Sequence, residues 1–469
     1  MKTFGKYTIM NGRTPAIIEE MDKNSTAEMI KDAGDDAGKE YTVKVNEKGK
    51  EVEKEIKFYD WGKDNNMPTK LIEKSFKNNV LASNLDFNFK IGYGDGIQVV
   101  RMVRNEKNKI EAIPLVHSDA PEVFDFLEEN NIQMLMQELI HDNTLLHNGF
   151  VELIMNKRMN KCLQLRHKEA AYSRISVIDE KTSKSEWHGY SSNWEKTEPD
   201  DLSATPLLDF GNPLYDYKVR TGKAPRPDGK TKVTRSESYV MHIAMPSPGK
   251  HYYQKAYWWS IFESHWFDFS CAIPEFKMNL MKNQMVLKYH IKINKTFFPE
   301  LFDAESITDP AKQKARKEEF FTDLENFLAS KENAGKNLST YFDYDSVNKG
   351  VERQDIIITP IENFIKGGEY IEDSEEASNA ICYAMGVHPS LQGASPGKGK
   401  TINGTEAREL FIIKQSMRKP FRDMILQPLR LVKYINGWDK DIEFVIPNIM
   451  LTTLDKNTGA EKQIGNEKL

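Results

Sequence analysis

Cysteine is scarce in this chain of 469 residues: Cys162, Cys271 and Cys382 are the whole supply. They stand far apart, match no metal-ligand spacing and build no disulfide framework, which suits a reducing cytoplasm. Long apolar runs are missing too. No stretch approaches the ~20 apolar residues that cross a bilayer, and no signal-peptide pattern is present, so no membrane association is expected. An excess of positive charge is also lacking. The 65 basic and 70 acidic residues sum to −5, too acidic to draw nucleic acid onto a broad surface, although local basic loops remain open.

Catalytic and metal-binding signatures are equally thin. The ten histidines include no His-Glu-x-x-His pair. His141 and His147 are six apart, a spacing that does not converge on one helical face. Asp200 and Asp201 follow Pro199 and read as a turn. No acid, base, nucleophile, metal or cofactor set emerges, and the chain is not expected to be an enzyme.

What is present is a charge-rich composition, 39% hydrophobic and 29% charged, long enough for two to four domains. Residues 1–40 are polar and read as a mobile arm. "YTVKV" and "KEIKFYDW" alternate about "NEKGKEVE" and predict a hairpin. Residues 121–147 recur with helical spacing, split near Asn130-Asn131. "GFVELIMN", "KCLQLRH" and "SRISVID" read as a strand meander running on to "WHGY". The Pro-, Gly- and Lys-rich stretch 192–235 predicts a surface excursion, and "ESYVMHIAM" a returning strand.

From Ala256 the period is helical, with Trp258, Phe262 and Trp266 on one face and Pro274 as a kink or end. That aromatic stripe suits a buried face or subunit contact better than a base-stacking platform, because few basic residues surround it. "LKYHIKIN" then alternates. Leu287, Tyr289, Ile291 and Ile293 fall on one side, Lys288, His290, Lys292 and Asn294 on the other, so one face is buried and one wet. Asp309-Pro310 starts a helix, and "DIIITPI" is a strand ended by Pro360. Residues 369–386 form a helix with acids at its start and Gly386 at its end. "NGTEARELFIIKQSMRKPFRDMILQPLRLVKYINGW" is a long helix kinked at Pro420 and Pro428. Alternating strands and separate helical runs together imply an α+β chain.

Between those last two helices, residues 394–401 read "ASPGKGKT". The stretch fits a loose phosphate-loop pattern, but a helix end and Pro389 precede it where a buried strand is required. "GASPG" also fits the serine-hydrolase elbow. Its nucleophile is followed by Pro396, which has no N–H for an oxyanion hole, and no histidine follows it in the chain.

The succession of helix, small strand–helix–strand insert, second helix, Gly-rich loop and kinked helix resembles the portal proteins of tailed bacteriophages. "YDWGKDNNMPTKL" is similar to the N-terminal wing of one group of portals, and "NGFVELIMNKRMNKCLQLRHKEA" to their strand–turn–strand. "GVHPSLQGA" resembles the segment before their tunnel loop, and "NGTEARELF" the start of their kinked helix. The resemblance spans roughly residues 58–450. It implies a mobile arm over 1–40, a wing over 41–255, a first stem helix over 256–283 and a clip over 284–363. A second stem helix over 364–386, a tunnel loop over 387–403, a kinked wing helix over 404–436 and a short C-terminal segment over 437–469 complete it.

By the same resemblance the chain forms a cyclic homo-oligomer, a dodecamer, at the capsid vertex of a virion, after synthesis in the host bacterial cytoplasm. Double-stranded DNA is packaged and ejected through it. Terminase large subunit, major capsid protein and a head-tail adaptor are the implied partners. Ser395, Gly397, Lys398, Gly399 and Lys400 would face the DNA. Glycines there supply permissive backbone angles, and lysines offer sequence-blind phosphate contacts. The strand carrying Leu287, Tyr289, Ile291 and Ile293 would pair with a neighbouring subunit, because its edge groups need partners. Two other readings stay open: a head-morphogenesis adaptor or scaffold without a ring, and a nucleotide-binding enzyme using the 394–401 loop. Particle mass separates the first from a portal. ATP binding lost on Lys400→Ala would favour the second.

Overall fold

The alternating segments pair into antiparallel sheets, as the short connections between many of them permit. A computed structural model describes residues 2–4, 7–9, 26–34, 37–47, 50–180, 182–194, 196–197, 201–225, 233–249, 252–284, 289–329, 343–344, 352–360, 370–392 and 404–449. Two units are distinguished, one of residues 1–273 with 370–469, the other of residues 274–369.

In the first unit Gly149–Met155 is the middle strand of three, between Ser238–Ile243 and Cys162–Lys168. Strand side chains alternate between faces, and here both faces are covered. Val151, Leu153, Tyr239, Met241 and Ile243 enter one core, while Phe150 and Val240 enter another. The sheet is therefore the partition between two apolar cores. The first core is completed by helices Pro121–Glu129, Ile132–Leu145 and Gln427–Asn436, and by strands Gln98–Arg104 and Ile442–Val445. The second gathers Trp61, Leu71, Leu81, Trp259, Phe262, Ile381 and Val387. A third, smaller core lies under the hairpin Lys39–Glu47 and Lys50–Phe58, where Val43, Val45 and Phe58 meet Trp194.

Several helix ends fall where local backbone chemistry puts them. Asn131 takes a left-handed conformation, φ 43°, and separates the helices on either side of it. Pro420 and Pro428 each sit in the first turn of a new helical segment. The kinked helix thus runs as Gly404–Ser416, Lys419–Ile425 and Gln427–Asn436.

Other expectations are corrected. The meander does not continue as one sheet: Ser173–Ile175 and Trp187–Tyr190 join Ser203–Pro206 in a separate sheet. The 192–235 stretch is not all surface, because it supplies that third strand and helix Pro213–Arg220, with Leu207, Leu208 and Tyr217 buried. A helix running on from Ala256 is interrupted. Tyr257–Trp259 is a 3-10 turn, Ser260–Glu263 one helical turn, and His265 adopts φ 61° before Trp266–Gln284 begins. That long helix carries through Pro274 instead of ending there. Within the supposed arm, Thr26–Ile30 is anchored. The Thr26 amide and hydroxyl both donate to the Asp268 carboxylate, at 3.1 and 3.0 Å.

The second unit contains helices Phe297–Ala304 and Pro310–Ala329 and the strand pair Tyr289–Ile293 with Ile356–Pro360. Phe298 meets Phe302, Phe320 and Phe321 with ring centroids 5.6–6.1 Å apart. Arg316 grips Glu305 through two nitrogens at 2.9 and 3.0 Å. Of the described side chains in this unit only Phe302 is buried, while Phe321, Ile357 and Met278 are exposed. No described helix of the chain is long and apolar enough to cross a membrane.

Candidate functional site

The Gly- and Lys-rich stretch, which lies outside the described residues, is bracketed in sequence by two helices of the first unit. The upstream helix, Ile371–Ala384, ends in a Schellman motif. Val387 N–H donates to Cys382 O at 2.9 Å and Gly386 N–H to Tyr383 O at 3.0 Å, with Gly386 at φ 60°. Val387 is buried in the same apolar core as Ile381. A single turn, Pro389–Leu391, follows, and the Gln392 side chain donates to Ser83 O at 3.2 Å. Described structure resumes at Gly404. A helix end and a turn therefore stand where a phosphate loop needs a strand.

Three cations four residues apart, Lys414 in the downstream helix and Arg418 and Arg422 just after it, tie this stretch to the end of the upstream helix and to helix Asn79–Tyr93. Lys414 Nζ donates to Gly386 O at 2.6 Å and to Met385 O at 3.2 Å. Arg418 donates to Asn88 O at 3.2 Å. Arg422 donates to Ile91 O at 2.7 Å and to Gly92 O at 3.3 Å. Gly386 O, Met385 O, Ile91 O and Gly92 O lie at or just beyond a helix C-terminus, where carbonyls lack intrahelical partners and the macrodipole favours positive charge, while Asn88 O lies about one turn earlier in its helix. Asn88 adds a bond to Met385 O at 3.2 Å.

Burial and mutual repulsion act on these cations. Burial, with Arg418 alongside, lowers Lys414 to about 8. Burial and then Arg422 lower Arg418 to about 10. His147, half-buried and near Arg418, falls to about 4 through desolvation and then that cation and stays neutral at ordinary pH, although a bond with the Met245 backbone opposes the shift.

In the second unit, strand Tyr289–Ile293 pairs with Ile356–Pro360, Ile291 opposite Ile358 and Ile293 opposite Ile356. Ile291 and Ile293 are half-buried while Lys292 and Asn294 are exposed, the expected alternation. Tyr289 lies in the same strand. Leu287, and Ser395, Gly397, Lys398, Gly399 and Lys400, lie outside the described residues. Among the described residues no group of three or more His, Cys, Asp or Glu side chains could hold a metal ion. The cation row was not anticipated from the sequence. Its only local signal is Lys and Arg at i, i+4 and i+8 across a proline kink.

No protein-family model and no curated protein matches the sequence. Solved structures do match. A chain in the neck of an empty GTA particle computed with C6 symmetry aligns with TM-score 0.51 and 15% identity, over 84% of this chain and 86% of that one. A chain in the virion of a native gene transfer agent (GTA) particle gives 0.52 and 15%, over 84% and 86%. A third, from the neck of a native GTA particle computed with C12 symmetry, gives 0.50 and 14%, over 84% and 87%. The likeness runs through most of both chains, so the resemblance read from the sequence holds at the level of the fold: this chain has the fold of a protein found in gene transfer agent particles.

Proposed function

We propose that the chain is the portal subunit of a phage-like particle. Copies close into a ring, a dodecamer, at the capsid vertex, and double-stranded DNA enters and leaves through it. The observation that carries this reading is the shared fold over 84% of the chain with proteins from particle necks computed with C6 and C12 symmetry. In this reading residues 41–255 and 404–436 form the wing, residues 256–283 and 364–386 the stem, and residues 284–363 the clip. Residues 387–403 form the tunnel loop, with Ser395, Gly397, Lys398, Gly399 and Lys400 toward the DNA. Capsid protein, terminase and a head-tail adaptor dock on the ring, and the ring itself does no chemistry.

The second unit supports the clip assignment. A two-stranded sheet with half-buried isoleucines beside a phenylalanine cluster that leaves Phe321 exposed is marginal alone, and a neighbouring copy would supply a further strand and cover. Particle mass and negative-stain imaging of the purified protein test the proposal. Closed rings of about twelve subunits are expected. A stable monomer at micromolar concentration, with no rings in the micrographs, would refute it.

A further inference from the structure

Helix Gly404–Ser416 is seated by polar bonds to a degree that its apolar sequence does not suggest. Ile412, Ile413 and Met417 are 55%, 57% and 73% exposed, while Gln415 is 2% exposed and Lys414 half-buried. Gln415 accepts from Ile449 N–H at 2.7 Å and donates to Ile449 O at 3.0 Å, using both its amide groups on one backbone residue. Lys414 makes its two bonds to the carbonyls that end the 371–384 helix. Adjacent side chains thus tie this helix to two different segments of the unit. A helix of 13 residues is marginal in water, so its order depends on what holds it.

We infer that Lys414 and Gln415 are positioning residues, two clamps that fix the 404–416 helix between the helix end at Gly386 and the chain at Ile449. The helix is consequently an element that can be released without unfolding the cores. Its bearing on DNA passage rests on the portal reading, because this helix carries the downstream end of the 393–403 segment; the clamps themselves do not depend on that reading.

Amide hydrogen exchange on the full chain tests the inference, comparing Lys414→Met, Gln415→Leu and Lys414→Arg with the parent. Each of the first two should speed exchange within 404–416 by roughly tenfold or more, the scale of losing charge-assisted or buried bonds. Exchange in 149–155 and 427–436 should stay unchanged, and Lys414→Arg should restore protection by supplying a cation of similar reach. Unchanged exchange in both variants would overturn the inference. So would faster exchange spread over the whole unit, which would mark the residues as general stabilisers. Particle mass measured on the same samples reports the portal reading separately: absence of rings with a confined exchange effect would sink that reading and leave the clamps standing.

Discussion

Arg174 grips Asn65 twice, through Nε to the side-chain oxygen at 2.5 Å and through Nη2 to the backbone carbonyl at 2.6 Å. Its Nη1 donates to Ser173 O at 2.7 Å and to Ala171 O at 3.1 Å. Asn65 holds the left-handed turn of "YDWGKDNN", φ 56°, and also accepts from Trp61 N–H at 2.9 Å. Trp61 in turn stacks on Tyr253, with ring centroids 4.2 Å apart. Burial lowers the guanidinium to about 10, with Tyr253, Asp60 and Tyr41 opposing, so it stays charged.

We predict that Arg174→Met costs about 3 kcal/mol or more, because several carbonyl oxygens lose their donor in a buried site. Asn65→Ala should cost about 1–2 kcal/mol, largely for the left-handed backbone. In urea unfolding the double variant should fall short of the sum by well over about 0.5 kcal/mol. Simple additivity would show that the contact carries no coupling.

Gly386→Ala should destabilise by about 1–2 kcal/mol, the cost of a left-handed backbone for an L side chain. The added Cβ would meet Lys414 Nζ at 3.4 Å, the flexible end of a side chain, so crowding is secondary. Thermal melts give the answer, and an unchanged melting temperature would mean the cap can be rebuilt without glycine.

His167 yields a pH prediction with a defined sign. Burial opposes its charged form, but its Nε2 contact to the Asp142 carboxylate at 2.8 Å wins and raises its pKa. Its contribution to stability is therefore fully present below the unfolded value of about 6.5 and is lost as pH rises through the higher folded value. Lys414 acts in the opposite sense. Its folded value of about 8 lies below the ordinary lysine value of 10.5, so its cost is relieved as pH climbs between them. Urea midpoints measured from pH 5 to 10 should reveal both trends. Asp142→Asn should remove the first and Lys414→Met the second. Curves that overlay the parent in those variants would contradict the assignments.

On the portal reading, deleting residues 395–400 should leave rings intact and impair packaging or retention of DNA. Lys398→Ala and Lys400→Ala should do less, since each loses one phosphate contact that salt already screens. Packaging into empty heads is the assay. Normal genome length and retention with the shortened loop, or failure of rings to form, would remove the loop from the channel.

Ile357→Glu places a charge on an exposed isoleucine of the two-stranded sheet. If a neighbouring copy covers that sheet, the fraction of particles in rings should drop while the melting of the first unit is unchanged. Rings as abundant as the parent's would exclude this face from the contact.

Features that depend on a few neighbouring residues were legible in the sequence. Strand-forming composition marked 149–155, alternation marked 289–293, an isoleucine run closed by Pro360 marked 356–360, Asn130-Asn131 marked a helix boundary, and Pro420 and Pro428 marked the kinks, because strand preference and proline geometry act locally. The order of these elements was enough to suggest the fold that the solved structures share. Tertiary structure alone decided which distant strands pair, such as 149–155 with 238–243 and 98–104 with 442–445. It alone set the break at His265 and the anchoring of Thr26 on Asp268. Arg174 and Lys414 belong with these: their partners are backbone carbonyls, present in every residue, so only the folded chain selects which carbonyl each cation meets.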